Sequence, residues 1–408
     1  MVDKFKETCY RGDRVYNMEE WKEDLYMFGL NPDRLREIRI ARSYTVEALA
    51  LQVNISKQAI SKYEKGLTNP SPEVLEKLIS VLNIPRIYLS KEDIIEYNKV
   101  SPLFFRTLKS TKQSEKELAS IQVKWAYEVI DGLQKLKKIT QDKVNIPTFD
   151  KKLNIIEKAT YLREYWGLGL EPIDNLTEIL EKNGIYILTV NTEKIRCDAY
   201  SQTVNGIPFV VLNKHKGSAV RWRFDLAHEL GHLILHANLN SKELDDENQF
   251  NKIEKEANLF ASNFLMPESS FGNRIISDKI DYFVSLKKEW NISIAAMIYR
   301  CGQLDRFNEQ KVTQLQKQIS KRQWRLEEPL DDEIAYEIPN RIRTDINGAV
   351  HDKNSADDFL NEVRLPISDI ENLCSLGNNF FSAFGSHSTY FVNEVLKEPG
   401  AYKQLTMF

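Results

Sequence analysis

Residues 221–236 read RWRFDLAHELGHLILH. The run carries His228, Glu229, His232 and His236, and its spacing dictates local structure. Side chains at i and i+4 share a face in an α-helix, so His228 and His232 point the same way on a helix starting near Ser218. Zinc held by two such imidazoles needs a third protein ligand and keeps one position open for water. The chain must therefore bring a second element against this helix. Glu229, beside the first histidine, is placed to take a proton from water that the metal has made acidic. This is the HExxH arrangement of zinc metalloproteases, and a purely structural zinc site would not need Glu229. Gly231, between the histidines, costs roughly 1 kcal/mol in a helix relative to Ala. A close approach of another helix or strand would explain it.

The residues leave several candidates for the third ligand. His236 is eight residues from His228 and rotated ~80° from it on an ideal helix. The acidic loop offers Glu243, Asp245, Asp246 and Glu247. The next helical run, IEKEANLFASNFLMP (253–267), has an apolar stripe of Ile253, Ala257, Phe260, Ala261, Phe264 and Leu265 and is stopped by Pro267. Glu254 flanks that stripe at ~60° and Glu256 sits at ~100° on the other side. A ligand must face the core, which favours Glu254. Asn258, four residues on, could then hydrogen-bond a ligand from behind. His236, Tyr200 and Arg223 are the candidates for a donor to a transition-state oxyanion.

Two amphipathic helices, IIEKATYLREYWGLG and PIDNLTEILEKNG, precede strand-like runs at 185–190, 197–204 and 208–212. Asn205-Gly206 signals a hairpin between the last two. The strand Pro208–Leu212 has two readings: a sheet edge offered to a peptide substrate, or a buried structural strand. RFDLAHELGHLILH followed by EKEANLFASNFLMP resembles the ImmA/IrrE family of metallopeptidases, and the resemblance extends over roughly residues 155–330. It implies a thermolysin-like core, a Zn2+ cofactor bound by His228, His232 and Glu254, and Glu229 as the catalytic glutamate. Some members cut a helix-turn-helix repressor, which implies a repressor- or antitoxin-like protein partner and a bacterial or phage-encoded chain.

Residues 34–89 read as a five-helix DNA-binding unit. Its second helix is expected over Thr45–Gln52 and its recognition helix over Ser56 to about Lys65. Ser56 and Ser71 suit N-caps, Pro72 suits a first turn, and Asn54 suits a left-handed turn position. Lys57, Gln58, Ser61 and Lys62 are expected to be exposed, with Ala59, Ile60 and Tyr63 packed inward. Gln and Lys can read base edges, while Lys and Ser can hold phosphates. Nine Lys/Arg against six Asp/Glu over residues 28–90 leave a local balance of +3. SKQAISKYEKGLTNPSPEVLEKL resembles the XRE-type helix-turn-helix of phage repressors, with one departure. Many members carry a phosphate-binding Gln where Val46 stands, so that contact is in doubt here. Such repressors usually pair across two half-sites, so a homodimer is a further expectation.

The whole chain has a formal net charge of -3, which excludes a global basic field. No run of ~18 apolar residues could span a bilayer, and the first residues show no signal-peptide stretch. Cys9, Cys197, Cys301 and Cys374 show no CxxC spacing, which argues against a thiolate zinc site and fits a reducing compartment. A cytoplasmic protein without a membrane partner follows.

The expected class is multidomain and mainly α, with an α+β zincin-like peptidase core and an N-terminal all-α helix-turn-helix domain. The expected divisions are an extension (1–27), the helix-turn-helix (28–92), a helical connector (93–150), the peptidase (151–275), its helical extension (276–330) and a C-terminal region (331–408). His387 with its aromatic neighbours reads as a small core, and His215 and His351 have no partner that can be named. Two functions compete. One is a regulator with an active zinc endopeptidase; the other is a non-proteolytic regulator whose zinc domain senses a ligand or metal.

Overall fold

The computed structural model describes residues 8–11, 14–17, 30–105, 111–140, 143–214, 217–239, 243–244 and 246–385. Most of the 1–27 extension, together with His215, Asp245 and His387, lies outside the described residues.

The chain opens with the antiparallel pair β1 (Thr8–Arg11) and β2 (Arg14–Asn17). Four helices follow: α1 (Pro32–Ala41), α2 (Val46–Val53), α3 (Lys57–Tyr63) and α4 (Pro72–Leu82). Each starts on a polar side chain that accepts a backbone N–H: Asn31, Thr45, Ser56 and Ser71. Asn54 ends α2 in the left-handed region, at φ 60°. The expected fifth helix is a 3-10 turn over Arg86–Ser90. Pro85 sits at its N-cap position, and the segment is too short for a regular α-helix.

Residues 93–150 hold more than a connector. They contribute a two-residue strand, β3 (Phe104–Phe105), and a long helix, α5 (Gln113–Lys135). Helices α6 (Ile155–Tyr165) and α7 (Leu176–Lys182) lead into β4 (Tyr186–Val190), β5 (Ala199–Val204) and β6 (Ile207–Asn213). The sheet order is β3-β5-β6-β4. β5 and β6 form the hairpin signalled by Asn205-Gly206, both residues having positive φ. β6 runs parallel to β4, with Tyr186 opposite Phe209. The strand Pro208–Leu212 is therefore interior, which removes the edge reading and leaves that of a buried strand. Its unbroken apolar run suits a strand hydrogen-bonded on both sides and covered on both faces.

Alternation along the strands divides the two faces. Tyr186, Leu188, Tyr200, Val204, Phe209 and Val211 share one core with α5, the four N-terminal helices and the C-terminal helices. Ile187, Ala199, Val210 and Leu212 face a second core. That core is built from α6, α7, α8 (Ala219–Leu235), α9 (Glu247–Leu265), α10 (Ile280–Trp290), α11 (Ile294–Gln303) and α12 (Glu309–Lys321). Three helices, α13 (Arg341–Ala349), α14 (Lys353–Val363) and α15 (Ile367–Leu373), complete the first core. The polar loop before α9 is shorter than expected, because Asp246 caps that helix and Glu247 begins it.

Buried charges join the N-terminal helices to α5. Arg34 reaches Glu37 at 2.9 Å and Glu128 at 2.5 Å. Lys91 pairs with Glu128 and Lys124 with Glu37, each at 2.7 Å. Tyr88 and Trp125 both donate to Glu37 Oε1. Each buried charge thus meets an opposite charge, the cations donating and the carboxylates accepting, as burial requires. No helix among the described residues is long and apolar enough to cross a membrane.

Candidate metal centre and recognition helix

α8 and α9 cross at Gly231. A Cβ there would lie 3.2 Å from the Cα and carbonyl oxygen of Ala257 and 3.3 Å from Phe260 Cβ. The glycine thus permits the close approach its position implied. That approach brings Glu254 over the histidines. His228, His232 and Glu254 form the cluster suited to a metal ion among the described residues.

The donor atoms converge. His228 Nε2 is 3.0 Å from His232 Nε2, and Glu254 lies 3.4 Å from the first and 3.2 Å from the second. Zn–N bonds of about 2.0–2.1 Å at tetrahedral angles place ligand atoms about 3.3 Å apart, so the triangle has the size a zinc site requires. Burial holds His232 neutral, pushing its pKa down to about 3. Burial works against the charged form of Glu254, but the His228 and His232 rings outweigh it and hold the carboxyl at about 2. Two imidazoles and one carboxylate suit a divalent cation.

Both histidines are held from behind. His228 Nδ1 is 3.1 Å from Asn258 Oδ1, an acceptor that keeps the proton on Nδ1 and frees Nε2. His232 Nδ1 is 3.1 Å from His236 Nδ1, and His236 Nε2 is 3.1 Å from Glu256 Oε2. His236 therefore stands behind His232, a candidate ligand, and Glu256, on the far side of the stripe from Glu254, anchors it. Glu229 is 1% exposed. Ser201, on β5, donates to its Oε2 at 2.5 Å. Burial pushes Glu229 up to about 7, with His228 and the Ser201 hydroxyl pulling it down.

Two proposed oxyanion donors point elsewhere. Tyr200 faces the opposite side of the sheet and donates to Gln122. Arg223 is bound by Glu337 and by the carbonyls of Ile173 and Asp174. Sequence reasoning missed Ser201 and Phe104. The Phe104 ring stacks on His232 with centroids 4.8 Å apart and planes 11° apart. Strand parity could have found Ser201, since it shares a face with Ala199, but no local signal joins residue 104 to residue 232. Beyond Asn258 a cavity of about 810 Å³ opens, lined among others by Arg221, Asp225, Lys255 and Tyr299.

In the N-terminal helices, Lys57, Gln58 and Lys62 are exposed and Ser61 is half-buried. Ile60 is fully buried, while Ala59 and Tyr63 are partly covered. Val46 packs against the core, so no phosphate contact comes from it. Glu64 clamps Arg39 through both oxygens, tying the end of α3 to α1.

The chain joins a helix-turn-helix unit to a metallopeptidase-type domain. Residues 35–89 match the Helix-turn-helix family model. Residues 180–301 match the IrrE N-terminal-like domain of the M78 peptidases. The chain is 29% identical over 84 residues to the HTH-type transcriptional regulator ImmR of Bacillus subtilis, covering 21% of this chain and 66% of that protein. It is 45% identical over 53 residues to the uncharacterized HTH-type transcriptional regulator RghRB of Bacillus subtilis, covering 13% and 38%. An HTH-type transcriptional regulatory protein described from Aeropyrum pernix is 33% identical over 60 residues, covering 15% and 18%. The chain thus spans between 18% and 66% of the length of these relatives.

Proposed function

We propose that this chain is a DNA-binding transcriptional regulator whose 180–301 domain is a zinc-dependent endopeptidase. Its substrate is a repressor- or antitoxin-like protein, and cleavage relieves repression or triggers a stress, mobile-element or phage-defence response. One observation carries the reading: Glu229, oriented by Ser201, stands beside the converging His228, His232 and Glu254. A metal held only for structure gains nothing from a carboxylate fixed at its side.

His228, His232 and Glu254 would hold Zn2+, with Asn258 and His236 fixing the two rings. When bound, the metal supplies Lewis acidity toward a peptide carbonyl and toward water. Glu229 accepts the proton of the attacking water and returns it to the leaving amine. Lys57 and Gln58 read base edges and Ser61 and Lys62 hold phosphates, with the chain pairing as a homodimer on two half-sites.

The alternative, a non-proteolytic sensor, draws support from the occupied edge of β5, where the chain's own β3 is paired. A direct comparison separates the two readings. Zinc-loaded wild type and Glu229→Gln are incubated with purified helix-turn-helix regulators of the same genome, and new termini are sought by mass spectrometry. Cleavage by wild type alone is expected. Equal regulation of a reporter by both proteins, with no partner cut, would end the peptidase reading.

A further inference from the structure

The outer edge of β5 runs past Glu229, and residues 99–105 lie along it. Asn205 N–H donates to Lys99 carbonyl at 3.0 Å, and Ser101 N–H to Thr203 carbonyl at 2.9 Å. Thr203 N–H donates to Ser101 Oγ at 2.9 Å, and Gln202 Nε2 to Ser101 carbonyl at 3.1 Å. The pairing is antiparallel, with Phe104 opposite Ser201 and Phe105 opposite Tyr200. Ser201 is the residue that holds Glu229. The segment is thus in register with the candidate chemistry.

Side chains strengthen the argument. Phe105 turns to the core face and stacks on Tyr200, centroids 5.3 Å apart. Phe104 turns to the metal face. It stacks on His232 and closes a small cluster with Leu244 and Ile253, edged by Leu239. This cluster is separate from both main cores. Without Phe104 it would be an open socket, walled by three aliphatic side chains and one imidazole face, wide enough for one aromatic ring.

The grip is limited. β3 is two residues long, and Pro102 has no N–H to give the ladder. A short edge strand held by few bonds can exchange with another peptide of the same form. In strand addition, main-chain bonds supply affinity and alternate side-chain pockets supply specificity.

We propose that the β5 edge and the socket of Leu239, Leu244, Ile253 and His232 form the peptide-binding site, which residues 99–105 occupy in cis. The partner is an extended peptide that carries a large aromatic side chain at the socket position and must displace Phe104. This deepens the peptidase reading and rests on it only for calling the occupant a substrate.

The test measures binding, so it does not depend on cleavage. The probe is a fluorescein-labelled KVSPLFF peptide, residues 99–105, with a control in which the first Phe is Ser. Fluorescence anisotropy is recorded on zinc-loaded full chain carrying Glu229→Gln, alone and combined with Phe104→Ala or Ser101→Pro. Phe104→Ala empties the socket, and Ser101→Pro removes two bonds to Thr203 without touching the socket. Each double variant is expected to bind the Phe peptide at least tenfold tighter than Glu229→Gln alone, and the Ser peptide at least tenfold more weakly than the Phe peptide. Equal binding by all three chains, equal binding of both peptides, or no binding by either double variant overturns the proposal. With Glu229 restored, the same binding pattern together with no helix-turn-helix regulator cut leaves the docking site standing and removes the peptidase reading instead.

Discussion

His232 and His236 stand one helical turn apart with their Nδ1 atoms 3.1 Å from each other, and His236 is tied in turn to Glu256. A carboxylate–histidine–histidine chain of this kind leaves Nε2 of His232 as the free lone pair and raises its basicity. Outer partners of metal ligands typically contribute 10–100-fold in affinity. His236→Ala is therefore expected to weaken zinc binding by about that factor, with Glu256→Gln following in the same direction. Competition against a chromophoric chelator measures it. Unchanged affinity in both variants would show that the chain only fills space.

Ser201 supplies the corresponding constraint on Glu229 through a single hydrogen bond. A hydrogen bond to a charged group contributes ~1.5–3 kcal/mol. Ser201→Ala should lower kcat/KM on a cleaved partner about tenfold, while Glu229→Gln should lower it by about a hundredfold or more. Both variants should retain zinc, read by metal analysis. A Ser201→Ala enzyme as fast as wild type would remove Ser201 from the site.

The helix of the histidine run was legible because two histidines four residues apart share one helical face. Glu254 was legible because its angle from an apolar stripe is set by helix geometry alone. Other features depend on which strands meet. Nothing within Pro208–Leu212 says whether it is interior or at an edge; that is decided by β4 and β5 on either side. Phe104 lies 128 residues before His232 by number, in a stretch whose sequence signalled only a connector. Tyr200 and Arg223 were plausible donors by type, but one faces the opposite core and the other is bound by Glu337. Side-chain direction at such positions comes from long-range packing.

Gly231 offers a steric test of how α9 is seated. An added Cβ would meet Ala257 backbone at 3.2 Å, and backbone cannot swing aside. Overpacking of this kind costs typically 1–3 kcal/mol. Gly231→Ala is expected to lower the melting temperature by several degrees and to weaken zinc binding, because shifting α9 carries Glu254 away. Thermal melts with and without added zinc check it. A variant that melts like wild type and binds zinc equally would contradict the crossing geometry.

Glu37 ties the N-terminal helices to α5 and supplies a pH test. Burial pushes its carboxyl up, but Arg34 and Lys124 outweigh that and hold it below its ordinary value of 4.5. A carboxyl depressed on folding stabilises the protein above its unfolded pKa and loses that contribution as pH falls through the folded one. Glu37→Gln should therefore destabilise by ~3–5 kcal/mol at pH 7, and the gap to wild type should narrow below pH ~4.5. Melting temperatures of both proteins from pH 7 to pH 3 give the comparison. A gap that is constant with pH would mean that Glu37 is not ionised in the fold.

The exposed face of α3 makes the last prediction. Lys57 and Gln58 project into solvent at the start of the helix, with Lys62 one turn further on. Base-edge contacts contribute ~1–3 kcal/mol each to discrimination, whereas a phosphate contact changes binding on all sequences alike and alters the salt slope. The double variant Lys57→Ala, Gln58→Ala should fail to enrich any sequence from a random duplex pool from which wild type enriches one. Lys62→Ala should still enrich the wild-type sequence, but with weaker affinity and a salt slope smaller by about one. Lys57 also lies 3.7 Å from Glu47 on α2. Glu47→Gln serves as the control: it should free the lysine and leave the selected sequence unchanged. Enrichment of the wild-type sequence by the double variant would move base reading away from α3.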